Sequence, residues 1–218
     1  MILALLSSPW CRAQQYRFDH MISYEYANYG GKFEVVNFIN SGNYKYGLRF
    51  LKGSAVDGRV TAAISDHLLR ETHYFHAREN GGNDVVSFDF EYRGTKKWEN
   101  DEYRRRVSNY DAVLVPTGDS LTAKLTIFEN KRRKKIRAEA WLKLSRSKID
   151  FVPAARFSMM DHMLSEQQLS YPFPAVIESV SYYVKGNELT ERRKMIKPVK
   201  LELSVSKKIY RDGSPTKF

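Results

Sequence analysis

Apolar side chains fall on alternate residues from Tyr16 onward: Tyr16, Phe18, Ile22, Tyr24 and Tyr26 make one row, with Arg17, Asp19, Ser23 and Glu25 between them. A period of two marks a strand with one buried face. His20 fills a place in the apolar row. Gly30-Gly31 suits the positive φ angles of a tight turn, and Phe33 to Ile39 resumes as a second strand, so a hairpin is predicted. Ser41-Gly42-Asn43 makes the next turn. Beyond it Tyr44, Tyr46, Leu48 and Phe50 share one face, while Lys45 and Arg49 take the other. After Asp57-Gly58, three more segments have strand character: 59–66, 69–78 and 84–92, the last two separated by Asn80-Gly81-Gly82-Asn83.

From 93 to 108 the alternation stops in a polar stretch, read as a loop or a short helical excursion. It restarts over 110–115, turns at Pro116-Thr117-Gly118-Asp119 and continues over 121–128. In the partner strand Ile136, Ala138, Ala140, Leu142 and Leu144 are predicted inward, and Arg137, Glu139, Trp141 and Lys143 outward. One helix is predicted over 158–168: Phe157, Met160, Leu164 and Gln168 recur at helical spacing, Ser158 can cap the start, and Tyr171-Pro172-Phe173-Pro174 ends it. Two final strands, 175–185 and 199–206, flank a Gly186-Asn187 turn. The expected fold is therefore mainly β, a curved antiparallel sheet or incomplete barrel of about nine to eleven strands with one short helix. The expected organisation is a leader over 1–13, one β-rich domain over 14–206 with a polar break at 93–108, and a basic tail over 207–218.

The first fifteen residues bear on location. An apolar run from Ile2 to Leu6 precedes Pro9 and then Cys11-Arg12-Ala13, a small-residue pattern that fits signal-peptide cleavage before Gln14. No basic residue precedes the run, so the leader reads as truncated; the alternative is a cytosolic N-terminus or a first strand. With cleavage, the protein is expected outside the cytoplasm, periplasmic or secreted, with peripheral membrane association. Cys11 is the only cysteine, and its loss would leave no thiol for a disulfide.

Charge changes the picture next. The chain carries 36 Lys and Arg against 25 Asp and Glu, a formal +11, which favours anionic partners. Six cations crowd one stretch, Lys131, Arg132, Arg133, Lys134, Lys135 and Arg137, at the tip of a predicted hairpin. A solvated, edge-protecting tip is the plain reading; contact with an anionic surface is the functional one. Residues 191–218 form a second basic zone. Met159, Met160 and Met163 on the predicted helix are either core filling or the lining of a pliable apolar ligand site, since thioethers adapt to varied shapes.

No catalytic constellation emerges. His73 and His76 have a His-x-x-His spacing, but on a strand they face opposite ways and cannot share a metal. Asp19 with Glu25, and Asp89 with Glu91, read as solvent-facing strand residues rather than acid/base pairs. Most aromatics sit in the inward row, which disfavours nucleic-acid binding. No cofactor or metal is expected.

The segment Asn37-Phe38-Ile39-Asn40-Ser41-Gly42-Asn43-Tyr44, leading through Asp66-His67 to His73-Tyr74-Phe75, together with the leader and the long amphipathic strands, resembles secreted bacterial β proteins of unknown function. The overall pattern is similar to the LolA/LolB-like envelope carriers, in architecture only and over roughly residues 16–205. That resemblance implies an incomplete barrel whose concave apolar face takes up acyl chains. The resulting expectation is a non-catalytic envelope or secreted protein with a lipid or anionic-membrane partner. The alternatives are a structural or protein-interaction module working through its sheet edges, and a cytosolic nucleic-acid binder.

Overall fold

The computed structural model describes residues 13–28, 30–52, 59–81, 86–98, 109–117, 120–128, 132–157, 171–184 and 187–205. They build β1 (Gln14–Asn28), β2 (Gly31–Ile39), β3 (Tyr46–Lys52), β4 (Arg59–Asp66), β5 (Glu71–Gly81) and β6 (Val86–Lys97) in the first half. The second half supplies β7 (Asn109–Thr117), β8 (Ser120–Phe128), β9 (Ile136–Arg146), a 3-10 turn (Val152–Phe157), β10 (Ala175–Val184) and β11 (Asn187–Val205). All eleven strands join one antiparallel sheet in the order β6-β5-β4-β3-β2-β1-β11-β10-β9-β8-β7. The two ends of the sheet, β6 and β7, do not pair, so the sheet is not closed into a barrel. The mainly β expectation holds. Residues 1–12 of the predicted leader and the whole of the predicted helix lie outside the described residues.

Each half is a meander, and the halves meet where β1 pairs β11 in the middle of the sheet. They bury opposite faces. In the first half Val36, Phe38, Leu48, Phe50, Ala62, Ile64, Phe75 and Ala77 lie on one face and form a single cluster with Tyr16 and Phe18. The register places these residues opposite one another rung by rung, so they share that face. In the second half the other face is covered: Leu121, Ala123, Leu125 and Ile127 pack with Ala138, Ala140, Leu142 and Leu144, and with Val180 and Tyr182. Where the two cores overlap, both faces are buried. Burial runs unbroken over Met21–Tyr24 and Val35–Ile39, a pattern that half-exposed strands do not show.

The switch between cores is made by a slip. The β1–β11 register shifts between Phe18 and His20. Before it Tyr16 and Phe18 join the first core; after it Ile22 and Tyr24 join a cluster with Phe151, Ala154 and Phe157 on the other face. The single apolar row expected from Tyr16 to Tyr26 is therefore divided between two cores. Pro198 faces His20 at the same slip, and a register irregularity is where a central strand tolerates a residue without an N–H. That is why β11 runs through to Val205 as one strand, although the sequence pattern broke it there.

The first half is strongly curled. Four strand steps separate β2 from β6, about 19 Å in a flat sheet, yet the Phe38 ring lies 6.0 Å from Phe88 and 6.4 Å from Phe90. Aromatic rings fill the inside of this curl.

Candidate functional site

A chain of buried polar groups lies inside the curl. Tyr16 on β1 donates its hydroxyl to Asp66 Oδ2 at 3.0 Å, and His73 Nε2 lies 2.7 Å from the same hydroxyl. On the far side His73 Nδ1 is 2.7 Å from Thr95 Oγ1, which is 2.6 Å from the Tyr92 hydroxyl. One consistent proton arrangement satisfies the chain: Tyr92 donates to Thr95, Thr95 to His73 Nδ1, His73 Nε2–H to Tyr16, and Tyr16 to Asp66. Asp66 also accepts from Gln14 Nε2 at 3.0 Å and from Leu69 N at 2.8 Å. Glu71 Oε2 stands 3.9 Å from His73 Nε2. Burial, and then the Asp66 charge, push the Tyr16 phenol well above its ordinary value.

These groups are shut away from solvent: His73 is 0% exposed, Tyr16 and Thr95 1%, Glu71 4% and Asp66 5%. No substrate reaches them in this conformation. Their evident work is to tie β1 to β4, β5 and β6 across the curl. Sequence reading passed over Tyr16 and Asp66 because they lie 50 residues apart. The available signal was that Asp66, Glu71 and His73 fall on the inward row, where a polar residue needs a partner.

The cationic stretch stands outside. Arg132, Arg133, Lys134, Lys135 and Arg137 are all exposed at the β8–β9 tip, while Lys131 lies outside the described residues. The last rungs explain the shape of the tip. Ile127 pairs Ala138, but Phe128 pairs Ile136, leaving Arg137 as an extra residue. The bulge turns Ile136 out of the inward row where the alternation placed it, and Ile136 is 54% exposed. Arg133 adopts a left-handed φ of 51° and holds its guanidinium 6.0 Å from the Phe128 ring. The tip thus combines cations with an exposed apolar residue.

The other sequence candidates are distributed as follows. Met159, Met160 and Met163 lie outside the described residues. His73 is buried and His76 half-buried; the strand pattern puts them on opposite faces, and no group of His, Cys, Asp or Glu among the described residues is placed to hold a metal ion. Asp89 and Glu91 are exposed on β6. Asp19 is not a free surface carboxylate: it accepts from Ser41 N at 2.8 Å, Ser41 Oγ at 2.6 Å and His20 Nδ1 at 2.9 Å, clamping the β2–β3 turn onto β1. Asp150 accepts from Tyr171 at 2.6 Å, and its carbonyl oxygen accepts from Tyr44, which anchors the segment bearing the 3-10 turn.

Among the described residues, the apolar side chains of each face pack against one another. One surface depression among the described residues, on β5 and β6, is bordered by Ala77 and Phe90 together with His76, Arg78, Asp89 and Glu91, and another across β2, β1, β11 and β10 is bordered by Glu25, Lys32 and Arg192. No described helix is long and apolar enough to cross a membrane. No protein-family model matches the chain, and no curated protein is detectably similar to it in sequence.

Proposed function

We propose that the protein is a non-catalytic envelope or secreted β protein that docks on anionic lipid through the β8–β9 tip. The supporting observation is the tip itself, where Arg132, Arg133, Lys134, Lys135 and Arg137 surround an Ile136 that a bulge has turned outward. Each cation close to an anionic bilayer contributes about 1 kcal/mol, and the attraction fades beyond a Debye length of about 10 Å at 0.1 M salt. Five such cations give up to about 5 kcal/mol, between about three and four orders of magnitude in affinity. Ile136 adds a smaller contribution that salt does not screen. The LolA/LolB-like resemblance suggested lipid inside a concave face; because the apolar side chains of each described face pack against one another, this reading puts the lipid contact on the surface.

A binding role fits the site chemistry better than a catalytic one. Tyr16, Asp66 and His73 already use their hydrogen-bonding groups on one another, which leaves no poised acid, base or nucleophile facing solvent among them.

The test is co-sedimentation with vesicles of phosphatidylglycerol in phosphatidylcholine, compared with pure phosphatidylcholine, over a range of salt. The wild-type chain should bind the anionic vesicles and release as salt rises. The variant R132E/R133E/K134E/K135E should lose at least 100-fold in affinity with an unchanged circular dichroism spectrum. Binding by that variant as tight as wild type in low salt would overturn the assignment.

A further inference from the structure

Two leucines stand side by side in water at the β4–β5 turn: Leu68 is 67% exposed and Leu69 45%. The turn that carries them is pinned from several directions. His67 N donates to the Lys45 carbonyl oxygen at 2.8 Å, Leu69 N to Asp66 Oδ1 at 2.8 Å, and Trp98 N to the Arg70 carbonyl oxygen at 2.9 Å. The His67 ring lies 5.0 Å from the Trp98 ring and 5.6 Å from the Phe157 ring. The leucines are thus held out by a fixed frame. Arg70 takes a left-handed φ of 55°, where glycine is the unstrained choice, and so sets a cation beside them. Lys45 and Lys97 are exposed at the same tip, whereas the acids of the turn, Asp66 and Glu71, are only 5% and 4% exposed. Among the described residues of this tip, the exposed side chains of Lys45, Leu68, Leu69, Arg70 and Lys97 are all apolar or cationic.

We propose that the β4–β5 turn is a second membrane contact, which inserts Leu68 and Leu69 at the boundary between the headgroups and acyl chains of an anionic bilayer. The inference rests on the anionic-lipid reading above for its partner, and on different residues for its site. Local chemistry selects the occupant. Protruding leucines gain by leaving water for acyl chains. Lys45, Arg70 and Lys97, which stay at headgroup level, meet the opposite charge there. A free anion would satisfy the cations and leave the leucines in water; an uncharged apolar partner would do the reverse. The turn is no extension of the β8–β9 tip. It lies at the end of the sheet where β1 begins, reached through the pairing of Ile39 with Gly47 and of Tyr46 with Asp66. The β8–β9 tip lies at the end where β1 finishes, reached through Ala27, Thr190 and Val184 to Ala138. The two contacts also differ in kind. Attraction at the cationic tip is screened by salt, whereas burial of the leucines is not.

The experiment uses the full chain and vesicles of phosphatidylglycerol in phosphatidylcholine. In a Cys11→Ser background, a polarity-sensitive nitrobenzoxadiazole label is attached at Leu68→Cys or, as control, at Thr61→Cys, an exposed site on β4. On vesicle binding the label at 68 should brighten and shift to the blue, and the label at 61 should not. Leu68→Ser/Leu69→Ser should bind the vesicles about 10-fold or more weakly than wild type, by the same factor in low and raised salt. Serine-variant binding as tight as wild type, with an unshifted label at 68, overturns the inference; the β8–β9 reading then stands if R132E/R133E/K134E/K135E still loses affinity. Undiminished binding by that quadruple variant, with loss in the serine variant, sinks the β8–β9 reading and keeps this one. A label at 68 that shifts as protein concentration rises without lipid assigns the leucines to a second copy and overturns the inference. A wild-type chain that binds no anionic vesicle overturns both. If the serine variant misfolds by circular dichroism, the two labels decide alone.

Discussion

His73 Nε2 lies 2.7 Å from the Tyr16 hydroxyl although 57 residues and four strand steps separate them. The contact exists only because the first half of the sheet curls, and it helps to hold the curl. Tyr16→Phe deletes the central hydroxyl and leaves His73 and Asp66 buried with fewer partners. Hydrogen bonds to charged groups contribute about 1.5–3 kcal/mol, so a loss near 2 kcal/mol in urea unfolding is expected. Tyr46→Phe is the control: its hydroxyl donates to Arg17 O and accepts from Arg17 N and Asn40 Nδ2, all uncharged groups, and its loss should cost about 1 kcal/mol. Equal costs for the two would refute the tie.

Gly47 sits under the Phe157 ring. A Cβ there would approach three ring atoms closer than 3.0 Å, a distance that side-chain packing does not tolerate. Gly47→Ala should destabilise by about 1–3 kcal/mol through overpacking. In a Phe157→Ala background, itself costly, the Gly47→Ala penalty should vanish. An undiminished penalty in that background would mean that the ring is not the obstacle.

For the Asp19 carboxyl, burial pushes its pKa up, but the hydrogen bonds from Ser41 and His20 outweigh that and hold it below its ordinary value. A lowered folded value means that the charged form stabilises the fold above the ordinary carboxylate range and that this contribution fades as pH falls through it. Asp19→Asn should therefore cost about 1 kcal/mol at pH 7, modest because the side chain is 46% exposed. The gap to wild type should close below about pH 4. Chemical denaturation at pH 7 and pH 3 measures it.

Tyr44 is pushed up to about 12 by burial and then by Asp150. Tyr16, Tyr24 and Tyr171 are raised as well, burial being the leading cause in each. A phenol held neutral by the fold gives its full stabilisation below its free value of 10 and loses it as pH rises through the folded value. Absorbance at 295 nm should show these four lagging the exposed tyrosines above pH 10, then ionising together as the sheet unfolds. A single smooth titration centred near 10 would contradict their burial.

Alternation made the strands readable, and 59–66 coincides with β4 to the residue. It did not reveal where alternation changes face. The slips opposite Asp19 and Phe128 each insert one residue into the partner strand, between Leu201 and Pro198 on β11 and at Arg137 on β9, and a local pattern cannot distinguish such a residue from its neighbours. The last strand was expected only from 199, whereas β11 begins at Asn187 and passes through Pro198, whose partner His20 sits at a slip. The polar tie of Tyr16, Asp66 and His73 was hidden for a different reason: its members meet only after the sheet has curled. The cationic tip was plain, since a charge run needs no partner to be seen.

The pairing of β1 with β11 makes the first strand wait for the last. During synthesis β1 to β6 can assemble as a local meander, while one side of β1 stays open until nearly the whole chain has emerged. At about 5–20 residues per second, making the second half takes roughly 5–20 s. Through that interval the nascent chain displays a long aromatic-rich edge. Premature termination anywhere in β7 to β11 would leave this edge permanently uncovered, so truncated products should be captured by chaperones or clump, and only the full-length chain can seal itself.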